Sequence, residues 1–192
     1  MKKSIGAQTL LYPHPVLLVG TYDSEGRPNL MTAAWGGICC SQPPCVAISV
    51  RPSRHTHASI LAKQAFTVNI PSVDHVREAD YVGIASGRKA DKFAVAGLTP
   101  VRCTQVDAPY MAEAPVVLIC RLAHTFELGI HTQFVGEILD CLVDEAALGE
   151  KGEPDIEKVR PFLYAGGNRA YYGIGDLLAP AFSVGRELLG RG

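Results

Sequence analysis

The sequence has almost no excess of charge of either sign, since 18 Lys and Arg residues face 19 Asp and Glu residues among 192. It lacks the net positive charge typical of general nucleic-acid binders, and we expect no nucleic-acid partner. It also lacks any apolar run approaching the ~20 residues of a membrane-spanning helix, and its N-terminus does not match a signal peptide. We therefore expect no membrane partner and a cytoplasmic location.

Several motifs of enzymes and metal proteins are missing as well. There is no Cys-x-x-Cys, Gly-x-Ser-x-Gly, His-Glu-x-x-His or Gly-x-x-x-x-Gly-Lys. We therefore expect no bound metal and assign no catalytic residue. Gly173-Ile174-Gly175 begins a dinucleotide-binding fingerprint, but Leu178 stands at the position of the third glycine. Because no strand–helix alternation surrounds this segment, we do not expect a Rossmann fold.

Six cysteines are present, and three of them, Cys39, Cys40 and Cys45, lie close together in the sequence. A domain of this length does not depend on disulfides for its stability. We interpret the three residues as reduced thiols at a strand end and in a loop. A redox role or an unusual metal site is the alternative interpretation.

Hydrophobic residues make up 47% of the chain, and the length predicts a single domain with a sizeable core. Short apolar or alternating runs bounded by turn residues predict strands that pair as hairpins. The predicted strands are 15–22, 28–35, 46–51, 66–70, 116–126 and 132–143. Because these hairpins are not interleaved with regular helices, we predict a mainly β fold, an antiparallel barrel with short helices.

Apolar residues at helical spacing predict short helices at 56–63, 72–84, 91–96 and 155–162. Thr56 and Ser72 stand where a hydroxyl can accept a hydrogen bond from the first helical turn, so both are expected to be N-caps. The last segment, 176–192, has an apolar pattern compatible with a helix that covers a neighbouring surface.

Small and polar residues gather at the ends of the predicted strands. In Asn29-Leu-Met-Thr-Ala-Ala-Trp35, Ala33 and Ala34 are small enough for a flat ligand to approach the backbone, and Trp35 offers an aromatic wall. The alternative is an ordinary strand with Trp35 in the core. His131 lies between the last two predicted strands. It is either a turn residue without a binding role or a hydrogen-bond donor to a ligand ring.

Two loops carry residue types that bind phosphate groups. Arg51 and a helix start near Thr56 would combine a guanidinium with free backbone N–H groups, and Lys92 in the second loop adds another cation. Solvated loops are the alternative in both cases. His55 and His57 as metal ligands are a further, separate alternative.

Taken together, these segments resemble the flavin reductase-like family with an FMN-binding split barrel, most closely its flavoredoxin branch. The resemblance runs from about residue 10 to residue 175 and depends on the order and spacing of six segments. These are Asn29-Leu-Met-Thr-Ala-Ala-Trp35, Cys40-Ser-Gln-Pro-Pro44, Ser49-Val-Arg51, Phe66-Thr-Val-Asn-Ile-Pro71, Ser86-Gly87 with Asp91-Lys-Phe93, and Gly129-Ile-His-Thr-Gln-Phe-Val-Gly-Glu137.

The resemblance implies a six-stranded antiparallel split barrel of Greek-key type over residues 1–175, followed by a C-terminal tail, 176–192, without a clear counterpart in the family. It also implies a homodimer that binds FMN in a groove near the subunit interface, with His131 contributed by either subunit. By position, the resemblance implies that Asn29, Thr32 and Trp35 lie around the flavin. It implies that Arg51, Thr56 and Lys92 bind the ribityl phosphate, and that His131 and Tyr164 lie beside the ring.

The implied function is that of an FMN-binding oxidoreductase. It is either an NAD(P)H:flavin reductase or a flavoredoxin-like carrier that exchanges electrons with a redox partner protein. The cofactor would supply the redox chemistry, which agrees with the missing catalytic motifs. A non-catalytic barrel that holds flavin or haem as a sensor or store is the alternative. Thiol redox chemistry by Cys39, Cys40 and Cys45, coupled to the flavin, is a third hypothesis.

Overall fold

Antiparallel strands make up most of the regular structure in the computed structural model, which describes residues 1–189. The strands are β1 (His14–Pro15), β2 (Leu17–Tyr22), β3 (Pro28–Ala33), β4 (Gly36–Ser41), β5 (Pro44–Val50), β6 (Ala65–Ile70), β7 (Pro100–Arg102), β8 (Pro109–Met111), β9 (Val116–Leu128), β10 (His131–Val143), β11 (Phe162–Ala165) and β12 (Ala170–Gly173). The α-helices are α1 (His55–Lys63), α2 (Val76–Ile84), α3 (Lys92–Ala96) and α4 (Ile156–Val159). The predicted mainly β fold with short helices is confirmed.

The main sheet has seven strands in the order β3-β2-β6-β9-β10-β5-β4, and its two edge strands are neighbours in the sequence. Only Ala34 and Trp35 separate the end of β3 from the start of β4. In a flat sheet these edges would lie about 29 Å apart, whereas so short a link spans about 10 Å. The sheet therefore curls until its edges meet at residues 34–35, which produces the barrel.

Strand β2 explains why one apolar run can serve two cores. Leu17 and Val19 point into the barrel, where they join side chains of β3, β5, β6, β9 and β10. Leu18, and Val16 just before the strand, belong instead to the outer core with residues of α2 and α3. Alternate residues of a strand face opposite sides of the sheet, so a strand covered on both faces is apolar throughout. The outer core extends to the small sheet of β1, β11 and β12, which lies beside the site described below.

The hairpin of β2 and β3 was predicted, and its turn contains Gly26 with a φ of +76°. Two details of the prediction are wrong. The second strand ends at Ala33, so Trp35 lies in the link to β4, and Cys39 and Cys40 belong to β4 itself. The paired glycines at 36–37 are typical of loops, but here cross-strand hydrogen bonding to β5 keeps them extended.

Thr56 is not the N-cap of α1, which also contradicts the prediction. Arg54 holds the cap position without a side-chain hydrogen bond, and the buried Thr56 hydroxyl instead accepts a hydrogen bond from Asn29 Nδ2 at 3.0 Å. A tertiary partner has thus replaced the local capping role. Ser72 does cap, because its hydroxyl accepts from the Asp74 N–H at the short 3-10 helix Val73–His75 that leads into α2.

The end of the chain contains less helix than its apolar pattern allows. In the predicted tail, 176–192, the described residues contain a single short 3-10 helix, Arg186–Leu188, and positions 190–192 lie outside the described residues. The predicted helix at 155–162 is shorter than expected, since α4 ends at Val159 and Phe162 begins β11. Over residues 1–189, none of the helices combines the length and apolar character needed to span a bilayer.

Candidate functional site

Two adjoining cavities lie where the closing edges of the barrel meet the helices. The larger has a volume of about 690 Å³ and the smaller one of about 370 Å³. Met31, Arg51 and Arg54 line both cavities, so they form one continuous groove. The volume of each cavity falls in the range of small-molecule and cofactor sites.

Seven of the ten residues predicted to bind a cofactor line the larger cavity. They are Thr32, Ala33, Ala34, Trp35, Arg51, His131 and Tyr164. They come from separate parts of the chain, since β3 and its link supply four of them, while His131 begins β10 and Tyr164 lies in β11. Barrel closure and the small sheet therefore assemble this wall from segments that are distant in the sequence.

Trp35 is 39% exposed and faces the groove, so the alternative that placed it in the core is wrong. Its ring stacks on the His14 ring, with centroids 5.1 Å apart and an interplanar angle of 4°. This stack holds the indole in one orientation. Next to it, Ala33 and Ala34 also line the cavity, and Ala33 is buried and belongs to the core inside the barrel.

Thr32 lines the same cavity, but its hydroxyl has a structural role. The hydroxyl donates a hydrogen bond to the Ala79 carbonyl and so joins β3 to α2. Gly83, one turn further along α2, approaches Thr32 so closely that an added Cβ would lie 3.1 Å from the Thr32 Cβ. Thr32 is thus positioned by α2, and its hydroxyl is already engaged.

The smaller cavity combines cations, hydroxyls and a helix N-terminus. Its lining includes Arg51, Ser53, Arg54, His55, Thr56, Ser86 and Lys92. Helix α1 begins here with no side-chain cap and no acidic residue in its first turn. The His57 N–H donates to the Arg54 carbonyl at 3.1 Å, so among residues 1–189 the N–H groups of His55 and Thr56 are the ones left available to a ligand. Such a helix N-terminus favours an anion, and no Asp or Glu lines this cavity.

Lys92 is the most unusual residue of this cavity. It is only 3% exposed, and its Nζ donates a hydrogen bond to the Val82 carbonyl at 2.8 Å. Burial, together with the nearby positive charge of Arg54, lowers the pKa of Lys92 from 10.5 to about 8. A buried ammonium is normally paired with a carboxylate. Among residues 1–189, no Asp or Glu forms a salt bridge with Lys92, so its buried ammonium lacks a compensating negative charge.

Asn29 lies behind the groove and lines neither of its two cavities. It borders a separate recess of about 190 Å³, together with His55 and Gly87. Its Nδ2 donates to Thr56, while its buried Oδ1 has no hydrogen-bond partner among residues 1–189. Asn29 therefore acts indirectly, because it holds the side chain of Thr56 in place. Thr56 lines the smaller cavity together with two other predicted residues, Lys92 and Arg51.

The sequence interpretation missed several residues of the larger cavity. Arg54, Asp80, Arg169 and Tyr171 also line it. The Tyr171 hydroxyl donates a hydrogen bond to Asp80 Oδ1 at 2.9 Å, and burial and this carboxylate raise the pKa of Tyr171 to about 12. Arg54 adjoins a predicted helix start and could have been chosen. Arg169 and Tyr171 carry no such signal, because only the fold of β11 and β12 brings them here.

The two histidines considered as metal ligands make other contacts. His55 Nε2 lies 3.5 Å from Asp23 Oδ2, and His57 Nε2 lies 2.9 Å from Thr132 Oγ1. Across residues 1–189, no group of three or more His, Cys, Asp or Glu side chains is arranged to hold a metal ion.

The chain matches one protein family and is similar to several solved structures. Residues 9–174 match the family described as "Flavin reductase like domain". The chain is similar to a flavoredoxin of Desulfovibrio vulgaris (Miyazaki F), with 55% identity, a TM-score of 0.93 and coverage of 97% of this chain and 100% of the other. A flavoredoxin from Methanosarcina acetivorans shares 32% identity, with a TM-score of 0.92 and coverage of 98% and 99%. An FMN-binding protein from Thermus thermophilus shares 26% identity, with a TM-score of 0.79 and coverage of 93% and 100%.

Proposed function

Because the chain belongs to the flavin reductase like domain family, we propose that it binds FMN in the groove and acts as a flavoredoxin-like electron carrier. The observation that carries the proposal is the buried Lys92, which has no carboxylate partner among residues 1–189 and lines the smaller cavity with Arg51, Arg54 and the N-terminus of α1. A phosphate group supplies the missing negative charge. The similarity to two flavoredoxins supports the carrier role.

The two cavities fit the two ends of FMN. The smaller one would hold the ribityl phosphate through Lys92, Arg51 and the backbone N–H groups at the start of α1. The larger one would hold the ring over Ala33 and Ala34. FMN, when bound, supplies hydride- and electron-transfer chemistry, while the protein binds, orients and electrostatically tunes it.

The remaining side chains of the larger cavity would define the surroundings of the ring. Trp35 and Tyr164 present aromatic surface from opposite ends of the chain, and His131 offers a ring N–H as a hydrogen-bond donor. Because no acid–base pair is needed for electron transfer through a cofactor, we assign no catalytic residue. A domain of residues 1–175 followed by a tail of 176–192 is part of this proposal.

A second candidate function is that of an NAD(P)H:flavin reductase. It is favoured by the larger cavity, which extends to Arg169 and Tyr171, neither of which lines the smaller cavity. Arg169 is a cation beyond those proposed for FMN, and a nicotinamide dinucleotide carries phosphates that such a cation binds. In this version a hydride donor would approach the ring from that side.

We further propose a homodimer, because apolar side chains are exposed close to the groove. Phe126, Leu128 and Ile130 are all more than half exposed at the tip of the β9–β10 hairpin, next to His131. Exposed apolar clusters of this kind are typical of protein interfaces. A second copy bound at this hairpin tip would help to enclose the flavin ring. A redox partner protein would then have to approach a different, exposed edge of that ring. The cytoplasmic location stays a prediction from the sequence.

The test is an absorbance titration of the purified protein with FMN, followed by anaerobic addition of NADH, NADPH and finally dithionite. Retained flavin bands that change only with dithionite support the carrier, and rapid bleaching by a nicotinamide supports the reductase. Tight flavin retention with slow reduction by every donor would favour the sensor or store. Failure to retain FMN, or equal retention of haem, would contradict the proposal.

A further inference from the structure

The hairpin of β4 and β5 brings three cysteines together at the end away from the groove. In this hairpin Ile38 pairs with Val46 and Cys40 pairs with Cys45, so Cys39 is an extra residue on β4. Such a bulge sets two residues of one strand against one residue of the other. Cys39 and Cys40 therefore both lie opposite Cys45.

The geometry of the Cys40–Cys45 pair suits a disulfide bond. Residues directly opposite on antiparallel strands have Cα atoms about 4.5–5.5 Å apart. Disulfides span Cα separations of about 4.4–6.8 Å, a range that includes the separation of directly opposite residues. The third residue, Cys39, is displaced from the register position by the bulge.

The two sulfurs differ in accessibility. Cys40 is exposed, whereas Cys45 is only 6% exposed and its Sγ donates a hydrogen bond to the Pro43 carbonyl at 3.4 Å. Burial and the neighbouring thiols of Cys40 and Cys39 raise the pKa of Cys45. A disulfide reagent would therefore reach Cys40 first, while Cys45 stays protonated and shielded until a neighbouring sulfur is activated.

We propose that Cys40 and Cys45 are a reversible dithiol–disulfide pair, in which Cys40 reacts first and Cys45 resolves. The oxidant is a low-molecular-weight disulfide. The Cys40 thiolate attacks one reagent sulfur, so a mixed disulfide forms, the reagent S–S bond breaks and one reagent thiolate leaves. Cys45 then releases its proton to solvent and attacks Cys40 Sγ, which expels the second reagent thiolate. Two protein thiols are oxidised and one reagent disulfide is reduced to two thiols.

This modification site is separate from the proposed function, because none of the three cysteines lines either cavity of the groove. The remaining cysteines provide controls. Cys141 is exposed like Cys40 but lies on β10, opposite Leu118 rather than another cysteine. Cys103 and Cys120 are buried, and burial raises the pKa of Cys120 far above its usual range.

The experiment treats the reduced protein, as purified and with its flavin content recorded, with oxidised glutathione. Free thiols and intact mass are then measured, first directly and then after dithiothreitol. We expect the six free thiols to fall to four without a glutathione adduct, and dithiothreitol to restore all six. The single variants Cys39→Ser and Cys141→Ser should each still lose two thiols. The double variant Cys39→Ser/Cys45→Ser should retain a glutathione adduct on Cys40.

The outcomes separate this pair from its alternatives. Six thiols that persist in the wild-type protein would overturn the proposal, as would loss of the intramolecular disulfide in Cys39→Ser, which would assign the bond to Cys39. An adduct on Cys141 alone would show that exposure, and not the cross-strand pairing, determines reactivity. Because the assay reads thiols and mass, its result is independent of whether the protein binds FMN.

Discussion

The charge of one side chain, Lys92, is central to the proposed phosphate site in the smaller cavity. Its ammonium is buried, hydrogen-bonded to a carbonyl and next to Arg54, so the ligand-free protein holds like charges together. A phosphate bound as proposed would relieve that repulsion and form charge-assisted hydrogen bonds. The residue is therefore unfavourable for the empty site and favourable for the filled one.

Replacing this cation with an apolar chain of similar length isolates its contribution. We expect Lys92→Met to weaken FMN binding by about tenfold to hundredfold, since a hydrogen bond to a charged group contributes about 1.5–3 kcal/mol. Fluorescence titration measures this loss. Lys89→Met, which removes an exposed lysine from the loop that precedes α3, should bind FMN within about threefold of the wild type. Equal affinities for Lys92→Met and the wild type would contradict the assignment.

The lowered pKa of Lys92 makes both the stability of the ligand-free protein and its ligand affinity depend on pH. Because the folded-state pKa of Lys92 is about 8 and its usual value is 10.5, the folded chain binds fewer protons than the unfolded chain between these values. In the ligand-free protein, the stability contribution of Lys92 is thus present at high pH and lost as pH falls through about 8. Ligand affinity should run the opposite way, because phosphate requires the charged ammonium.

FMN affinity should accordingly fall by about tenfold as pH rises from neutral to well above the Lys92 pKa, while the phosphate stays a dianion above its second pKa of about 6. The measurement is a series of FMN titrations across this range at constant ionic strength. Lys92→Met should show a flat profile over the same range. A wild-type profile as flat as that of the variant would show that another cation holds the phosphate.

At the scale of elements, the loop between α2 and α3 must lie close to β3 and α1. A Cβ added to Gly87 in this loop would lie 2.7 Å from His55 Cδ2 and would also collide with Asn29 Oδ1. Only a residue without a side chain allows the loop to complete the smaller cavity. Because Gly87 has no side chain, there is room for the Asn29 side chain to be buried beside Thr56.

The substitution Gly87→Ala should therefore force the loop away from the cavity. We expect a loss of about 1–3 kcal/mol in the free energy of unfolding, as for other overpacked sites, together with weaker FMN binding. Thermal unfolding and FMN titration measure the two effects. Gly175→Ala is the matched control, because no atom lies within 4 Å of a Cβ at that glycine. Unchanged stability and affinity in Gly87→Ala would contradict the close packing.

Local patterns predicted the elements better than their ends. The strands β2, β6, β9 and β10 follow directly from apolar runs and turn residues. Strand β4 was missed because its five residues after Gly36 are all exposed, so no buried face produces a pattern. Thr56 was misassigned because its partner, Asn29, is distant in the sequence. Likewise, the contributions of Arg169 and Tyr171 to the site depend on pairing between β11 and β12.

At the scale of the whole molecule, a ligand that binds only the folded barrel should stabilise all of it. At a free FMN concentration of 100 times the Kd, the gain is about 2.7 kcal/mol, which corresponds to about 5–10 °C in Tm for a domain of this size. Differential scanning fluorimetry measures the shift. Riboflavin, which has the same ring without the phosphate, should give a smaller shift at equal concentration. Equal shifts would show that the smaller cavity does not hold the phosphate.

The proposed dimer gives a separate prediction. Sedimentation should yield a mass about twice the 20.6 kDa of the chain. Leu128→Lys places a charge in the exposed apolar hairpin tip and should shift the equilibrium towards monomer. Ile156→Lys, at an equally exposed position on α4, should leave the dimer intact. A wild-type protein that sediments as a monomer would exclude this assembly.

The short link at Ala34–Trp35 makes one stretch of backbone responsible for two properties. Connections between strands usually tolerate insertions, because they lie outside the packed elements. Here an extra residue would loosen the closure of the barrel and at the same time displace the indole from the groove. The length of this link is therefore as constrained as any buried side chain, and natural or engineered length variation should concentrate in other connections of the chain.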